Sequence, residues 1–180
     1  RPAAELVGRR VNLLIAAGGP PSALAAKAAT TTIPIVFPGS SDAVGLGLVQ
    51  SLNRPGGNIT GVMQYEASIT GKWLAMLKEI APRLERAALV ANPKVTAYDY
   101  FLRAAEVTTS SLAIEVVPSP VENASDMEHA IESFALAPNG GLIFPPDATT
   151  TSQRHLIVAL AARHRLPAVY AIRAFVGAGG

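Results

Sequence analysis

The chain has 180 residues, 49% of them apolar, and carries 15 basic against 13 acidic side chains, enough apolar content for one full domain or two small lobes with real cores. It has no cysteine, which excludes disulfides, thiolate catalysis and cysteine metal sites. Adjacent basic residues occur at Arg9-Arg10 and Arg163-His164-Arg165 and the basic residues are otherwise scattered, so no stripe for nucleic acid forms, and no apolar run approaches the roughly 18 residues of a membrane span.

Apolar runs alternate with helical stretches along the whole chain, the pattern of βαβ units and a parallel sheet. Residues 11–16 read as a buried strand, followed by Gly18-Gly19-Pro20-Pro21-Ser22 and an alanine-rich helix to about Ala29. A strand over 33–37 runs into Ser40-Ser41-Asp42, then a short helix-like segment over 44–52. Arg54-Pro55-Gly56-Gly57-Asn58 returns the chain into a strand over 59–63. Residues 68–81 place Ile69, Trp73, Leu77 and Ile80 on one helical face, stopped by Pro82.

A second series begins with a strand over 87–91 that ends in Asn92-Pro93. A helix from about 97 to 110 precedes a strand over 113–117. Ser125 with Glu128 reads as a capping box for a helix to about Leu136. The strand over 141–144 ends in Pro145-Pro146-Asp147, and Thr151 or Ser152 caps a helix with Leu156, Ile157 and Leu160 inward. A strand over 168–171 is the last. The expected division is a partial first lobe over 1–63, a second lobe over 64–172 and the start of a return crossing over 173–180. The first series has few strands for a doubly wound sheet, so further strands of the first lobe are expected upstream of Arg1.

Ligands of open parallel sheets dock at the carboxyl ends of the strands, which directs attention to the strand-end loops. The turn holding Gly19 and Ser22 precedes a helix whose first N–H groups lack partners and suit an anion. The plain alternative is a strand-to-helix turn with Ser22 as N-cap. Ser40, Ser41 and Asp42 offer two hydroxyls and a carboxylate after a strand; Asp42 suits an ammonium or hydroxyl, or else caps the 44–52 helix. Asp147, after two stiffening prolines, would pair with a cationic ligand group, or serve as a solvated loop acid or helix cap. Asn92 ends a strand in the same way, though Asn-Pro is also a common turn signal. Of Tyr65, Tyr98, Tyr100 and Tyr170, Tyr65 is best placed to stack on a ligand, being nearest the division between the series. Trp73 belongs to an apolar helical stripe and reads as core.

Nothing assembles a catalytic set. His129, His155 and His164 lack metal-ligand spacing. There is no Gly-x-Ser-x-Gly elbow, P-loop or dinucleotide fingerprint. Neither enzyme activity nor a cofactor or metal is expected.

Five segments together resemble a known family. They are Ala-Gly-Gly-Pro-Pro at 17–21, Ile-Pro-Ile-Val-Phe at 33–37, Ser-Asp-Ala-Val-Gly-Leu-Gly-Leu-Val at 41–49, Leu-Asn-Arg-Pro-Gly-Gly-Asn-Ile-Thr-Gly-Val at 52–62 and Ile-Val-Ala-Leu-Ala-Ala-Arg-His-Arg-Leu-Pro-Ala-Val-Tyr at 157–170. The chain resembles bacterial ABC-transporter substrate-binding proteins of the type I periplasmic-binding-protein fold, the group that includes tryptophan- and tyrosine-binding lipoproteins. The resemblance implies a two-lobed α/β receptor with parallel sheets flanked by helices, here with its first lobe incomplete. It also implies a small amphoteric ligand, an ABC permease as membrane partner, and a periplasmic or extracellular membrane-anchored location. Carried over by position, ligand contacts would be Gly19, Ser22, Ser40, Ser41 and Asp42, with Thr60 and Gly61 next to the crossing, and Asn92 and Asp147 from the second lobe. The rival readings are a ligand-sensing domain of a regulator or sensor with the same fold, an α/β racemase or isomerase, and a non-binding remnant.

Overall fold

The computed structural model describes residues 2–40 and 42–180. They separate into two compact units, Arg1–Ala67 and Ser68–Gly180. Among the described residues no helix is long and apolar enough to cross a membrane.

The first unit runs α1 (Pro2–Gly8), β1 (Leu14–Ile15), α2 (Gly19–Ala29), β2 (Ile35–Ser40) and β3 (Ile59–Met63). Its sheet has the order β1-β2-β3 and is parallel throughout, with Leu14 opposite Ile35 and Ile35 opposite Ile59. One face holds the core: Leu14, Ala16, Ile35, Phe37 and Ile59 pack with Ala23 and Ala26 of α2 and with Ala43, Leu48 and Val49. The opposite face is open, with Ile15 68% and Val62 66% exposed.

Two expectations are corrected here. The strand over 11–16 is not buried on both sides, because side chains alternate across a strand: Leu14 and Ala16 are buried in the core and Val11 packs at its edge, while Leu13 and Ile15 are exposed. No helix forms over 44–52. The chain makes hydrogen-bonded turns, with Leu46 N–H donating to the Asp42 carbonyl and Leu48 N–H to that of Ala43. Gly47 takes a left-handed backbone at φ +66, a conformation that ends right-handed helix.

The second unit contains α3 (Ile69–Ile80), β4 (Arg86–Ala91), α4 (Tyr98–Leu112), β5 (Glu115–Pro120) and α5 (Ala124–Ala135). It continues through β6 (Gly140–Phe144), α6 (Ala148–Ser152), α7 (Arg154–Arg163), β7 (Ala168–Tyr170) and a 3-10 turn, Arg173–Ala178. The parallel sheet has the order β5-β4-β6-β7. Every residue of β6, and all of β4 except Arg86, is buried, the continuous apolar pattern of strands covered on both faces. Ala88, Val90, Leu142 and Phe144 pack on Met127, Ile131 and Phe134 of α5, on Ile157 and Leu160 of α7, and on Phe175. A methyl group on Gly141 would lie 2.9 Å from Leu77 Cδ2 and 3.1 Å from the Pro167 carbonyl oxygen, so α3 packs on that strand only because no side chain is there.

Three details of the expected elements change. The buried face of α3 is Thr70, Trp73, Leu74 and Leu77, while Ile80 at its last turn is 63% exposed. Asn123, not Ser125, caps α5, accepting the Asp126 N–H at 3.0 Å. The helix expected to start at Thr151 or Ser152 is two helices interrupted at Gln153, and Asp147 caps the first of them. Residues 173–178 form the 3-10 turn that buries Phe175 against Phe144 and Tyr170.

Candidate functional site

The connections of the second unit create a topological switch point. From β4 the chain crosses to β5 at one edge of the sheet, and from β5 it returns past β4 to β6 and β7. Helices α5 and α7 pack on one face, while α3 and α4 pack together on the other. The loops leaving β4 and β6 therefore part in opposite directions at their carboxyl tips, the switch point at which α/β sheets have their ligand crevice.

Asn92 stands at the β4 tip and Asp147 at the β6 tip, and the fold brings these two expected residues into contact. The Asn92 backbone N–H donates to Asp147 Oδ2 at 3.1 Å. Thr96 Oγ1 donates to the same oxygen at 2.6 Å. Asp147 Oδ1 accepts the Thr150 N–H at 2.7 Å, which closes the N-terminal turn of α6. The carboxylate is thus a buried helix cap tied to the neighbouring strand, with the residue only 5% exposed, rather than a solvated loop acid. The Asn92 side chain donates from Nδ2 to Thr149 Oγ1 at 3.0 Å and accepts the Lys94 N–H at 2.9 Å. Farther along the same rim Lys94 pairs with Glu122, and Asp126 Oδ2 accepts the Glu122 N–H and the Asn123 side-chain amide.

In the first unit the candidate groups follow each strand in turn. Gly19 opens α2 with φ +73, and its N-cap is Gly18, with no side-chain cap. Ser22 lies inside the helix and is not the cap. Pro20 and Pro21 lack N–H groups, so the first turn offers an anion only the donors of Gly19 and Ser22. Ser40 ends β2, and Ser41 lies outside the described residues. Asp42 is half-buried with φ +55, and its Oδ1 accepts the Gly45 N–H at 2.9 Å; among the described residues no donor meets Oδ2. Tyr65 lies just beyond the tip of β3, half-buried.

Thr60 and Gly61 are not strand-tip residues. They sit within β3, paired with Val36 and Phe37. A Cβ on Gly61 would come 2.1 Å from the Phe37 carbonyl oxygen and 2.4 Å from its ring, so close packing accounts for that glycine. Both residues line a depression of about 530 Å³ along the β3 edge, together with Phe37, Leu52 and Met63.

Tyr98 and Tyr170 are structural. Tyr98 is 6% exposed; its hydroxyl donates to the Leu89 carbonyl and accepts the Ser119 N–H, both at 2.8 Å. Burial pushes its phenol up to about 12, against a smaller downward pull from the Ser119 N–H. Tyr170 stacks on Phe175 and Phe144 at 4.5 and 5.3 Å, and burial raises its pKa too. Trp73 packs on Phe101 at 5.9 Å. Among the described residues no group of His, Asp and Glu is placed to hold a metal ion.

The sequence reading missed Thr96 and Thr149, the hydroxyls that join the β4 and β6 tips. A signal existed for the second: Asp147-Ala148-Thr149-Thr150 has the spacing of an Asp N-cap followed by its first turn. Thr96 carried none, because its partner is 51 residues away in sequence.

Polar strand tips repeated on two parallel α/β sheets, one with a topological switch point, define the α/β class of architecture in which ligands dock at strand ends. The chain belongs to the family of ABC transporter substrate binding proteins, whose family model it matches over residues 2–180. It is 28% identical over 166 residues to a tyrosine-binding protein of Clostridioides difficile (strain R20291), covering 92% of this chain and 47% of that one. A conserved domain protein from Vibrio cholerae superposes with TM-score 0.89 at 26% identity, over 99% of this chain and 59% of its own. The ABC domain in complex with L-Trp from Streptococcus pneumoniae gives the same TM-score at 19% identity, again over 99% and 59%; that likeness is one of fold, the type I periplasmic-binding-protein fold. The chain thus spans about half the length of the curated relative.

Proposed function

We propose that this chain is the solute-capturing part of an ABC importer, and that it takes an amino acid or a related amphoteric molecule. The observation that carries this reading is the switch point at the carboxyl tips of β4 and β6, where the Asn92 side chain meets Thr149, in a chain of the substrate-binding family. Hydroxyls and amides at such tips replace a ligand's hydration shell without a change in covalent structure. Binding then favours a closed arrangement by its differential affinity for that state. On the first unit the ligand contacts are Gly19, Ser22, Ser40, Ser41, Asp42 and Tyr65, with Thr60 and Gly61 at the margin. Asp42 is suited to an ammonium, since one of its oxygens meets no donor among the described residues. On the second unit Asn92 and the Asp147 loop contribute. The partner is a membrane permease, and the working compartment is extracytoplasmic, with attachment to a membrane. No chemical conversion of the ligand is assigned.

The aromatic amino acids are the first ligands to test, because the curated relative is named for binding tyrosine. A ligand that binds only the folded state raises the melting temperature by mass action. L-tyrosine or L-tryptophan at millimolar concentration should raise it by several degrees. No shift with any amino acid, and no heat in calorimetry, overturns the reading.

A further inference from the structure

The two acids singled out from the sequence do different work. We infer that Asp147 is a positioning residue: it sets the β4 tip against the start of α6 and does not itself take the ligand's ammonium. The second unit then meets its ligand through neutral groups, chiefly the half-buried Thr149 hydroxyl, which the Asn92 amide holds in place. This rests on the reading of the chain as a receptor for an amphoteric solute.

A carboxylate has about four lone-pair positions, and three of those on Asp147 are filled from the Asn92 N–H, Thr96 Oγ1 and the Thr150 N–H. The three donors arrive from different directions: the tip of β4, the loop that follows it, and the first turn of α6. With the residue 5% exposed, an incoming ammonium would have to displace Thr96 or the strand tip. Displacing the strand tip leaves the buried Asn92 N–H unmade, which costs more than an ordinary hydrogen bond returns, and displacing Thr96 turns its hydroxyl to the longer bond with the Pro146 carbonyl at 3.1 Å. The other acids of this rim are also engaged, Glu122 with Lys94, and Asp126 with the Glu122 N–H and the Asn123 amide. What Asp147 does fix is the Asn92 backbone, and from there the Asn92 side chain reaches Thr149 of α6. Asp147 therefore acts on the ligand through Asn92.

The test compares L-tyrosine with its des-amino analogue, 3-(4-hydroxyphenyl)propanoate, by calorimetry on the wild-type chain, Asp147→Asn and Asp42→Asn. Asp147→Asn should weaken both compounds by a similar factor, roughly tenfold or more as one charge-assisted hydrogen bond is lost, and so preserve their ratio. Asp42→Asn should bring the two affinities together. The Asn92 amide proton resonance should move in Asp147→Asn before any ligand is added, which a remote loss of stability would not produce. If Asp147→Asn fails to fold, the Thr96 pair carries the same test. Thr96→Val should weaken both compounds alike, and Thr96→Ser should restore them. A collapsed tyrosine-to-analogue ratio in Asp147→Asn, with the ratio intact in Asp42→Asn, overturns the inference, as does unchanged affinity for both compounds in Asp147→Asn. Should the wild-type chain bind neither compound, the proposed function falls first and this inference with it.

Discussion

The two sheets of this molecule are built from similar residues but are covered differently. In the second unit β4 and β6 are buried on both faces, between α3 and α4 on one side and α5 and α7 on the other. In the first unit a single layer of helix and turns covers one face, and Ile15 and Val62 stand open on the other. The difference appears at the tips as well. Asp147 is buried with three donors, while Asp42 stands half-buried on a glycine-bearing turn with one among the described residues. A strand tip inherits its order from the layers beneath it: covered strands hold their loops in register, and a thin layer leaves them fewer constraints.

The sharpest way to break this comparison is to cut a cavity in the covered sheet. Phe144 is 1% exposed and packs against the stacked pair of Tyr170 and Phe175, at 5.3 and 5.9 Å. Phe144→Ala should lower the stability of the second unit by about 3–5 kcal/mol, read as an earlier urea midpoint. A loss under about 1 kcal/mol would mean that the packed layers do not carry that unit's stability.

A smaller effect, set by pH, sharpens the same point. The Tyr98 phenol is raised from 10.0 to about 12 in the folded chain, so the folded state holds its proton more tightly than the unfolded one. That stabilisation is complete below pH 10 and is lost as pH rises from 10 towards 12, by about 2 kcal/mol. Tyr170 titrates in the same direction, and the difference between wild type and Tyr98→Phe isolates the first phenol. Urea midpoints at pH 9.5 and 12 should show the wild type losing more than the variant; equal losses would mean that Tyr98 is not held neutral by its surroundings.

The smallest effect belongs to the open face. Ile15→Ala should change stability by no more than about 0.5 kcal/mol, measured by the same melts, because the side chain is 68% exposed. A cost approaching that of Phe144→Ala would show that this face is covered in solution, and the contrast between the units would go.

Much of the framework was legible residue by residue. Strand over 59–63, the cores of β4 and β6, Trp73 as a packed residue and the polar tips at Asn92 and Asp147 all follow from apolar runs broken by Pro, Gly, Asn and Asp. The failures share a cause. The segment over 44–52 has helical spacing, but Gly45 and Gly47 leave it in turns. Ser125 and Thr151 had good capping chemistry, yet Asn123 and Asp147 stand where the helices actually begin. Cap choice depends on where the preceding strand lets go, and a local pattern does not contain that information.

By itself, then, the order of residues determined the α/β class, the parallel sheets and the loops rich in ligand-like chemistry, because period, propensity and turn chemistry act over a few neighbours. Only the tertiary structure decided the roles within those loops. Asp147 and Thr96 meet across 51 residues of chain at 2.6 Å, through the return of β6 to the side of β4. Whether a carboxylate is open to a ligand or already satisfied depends on such long-range partners, and these exist only once the sheet has assembled.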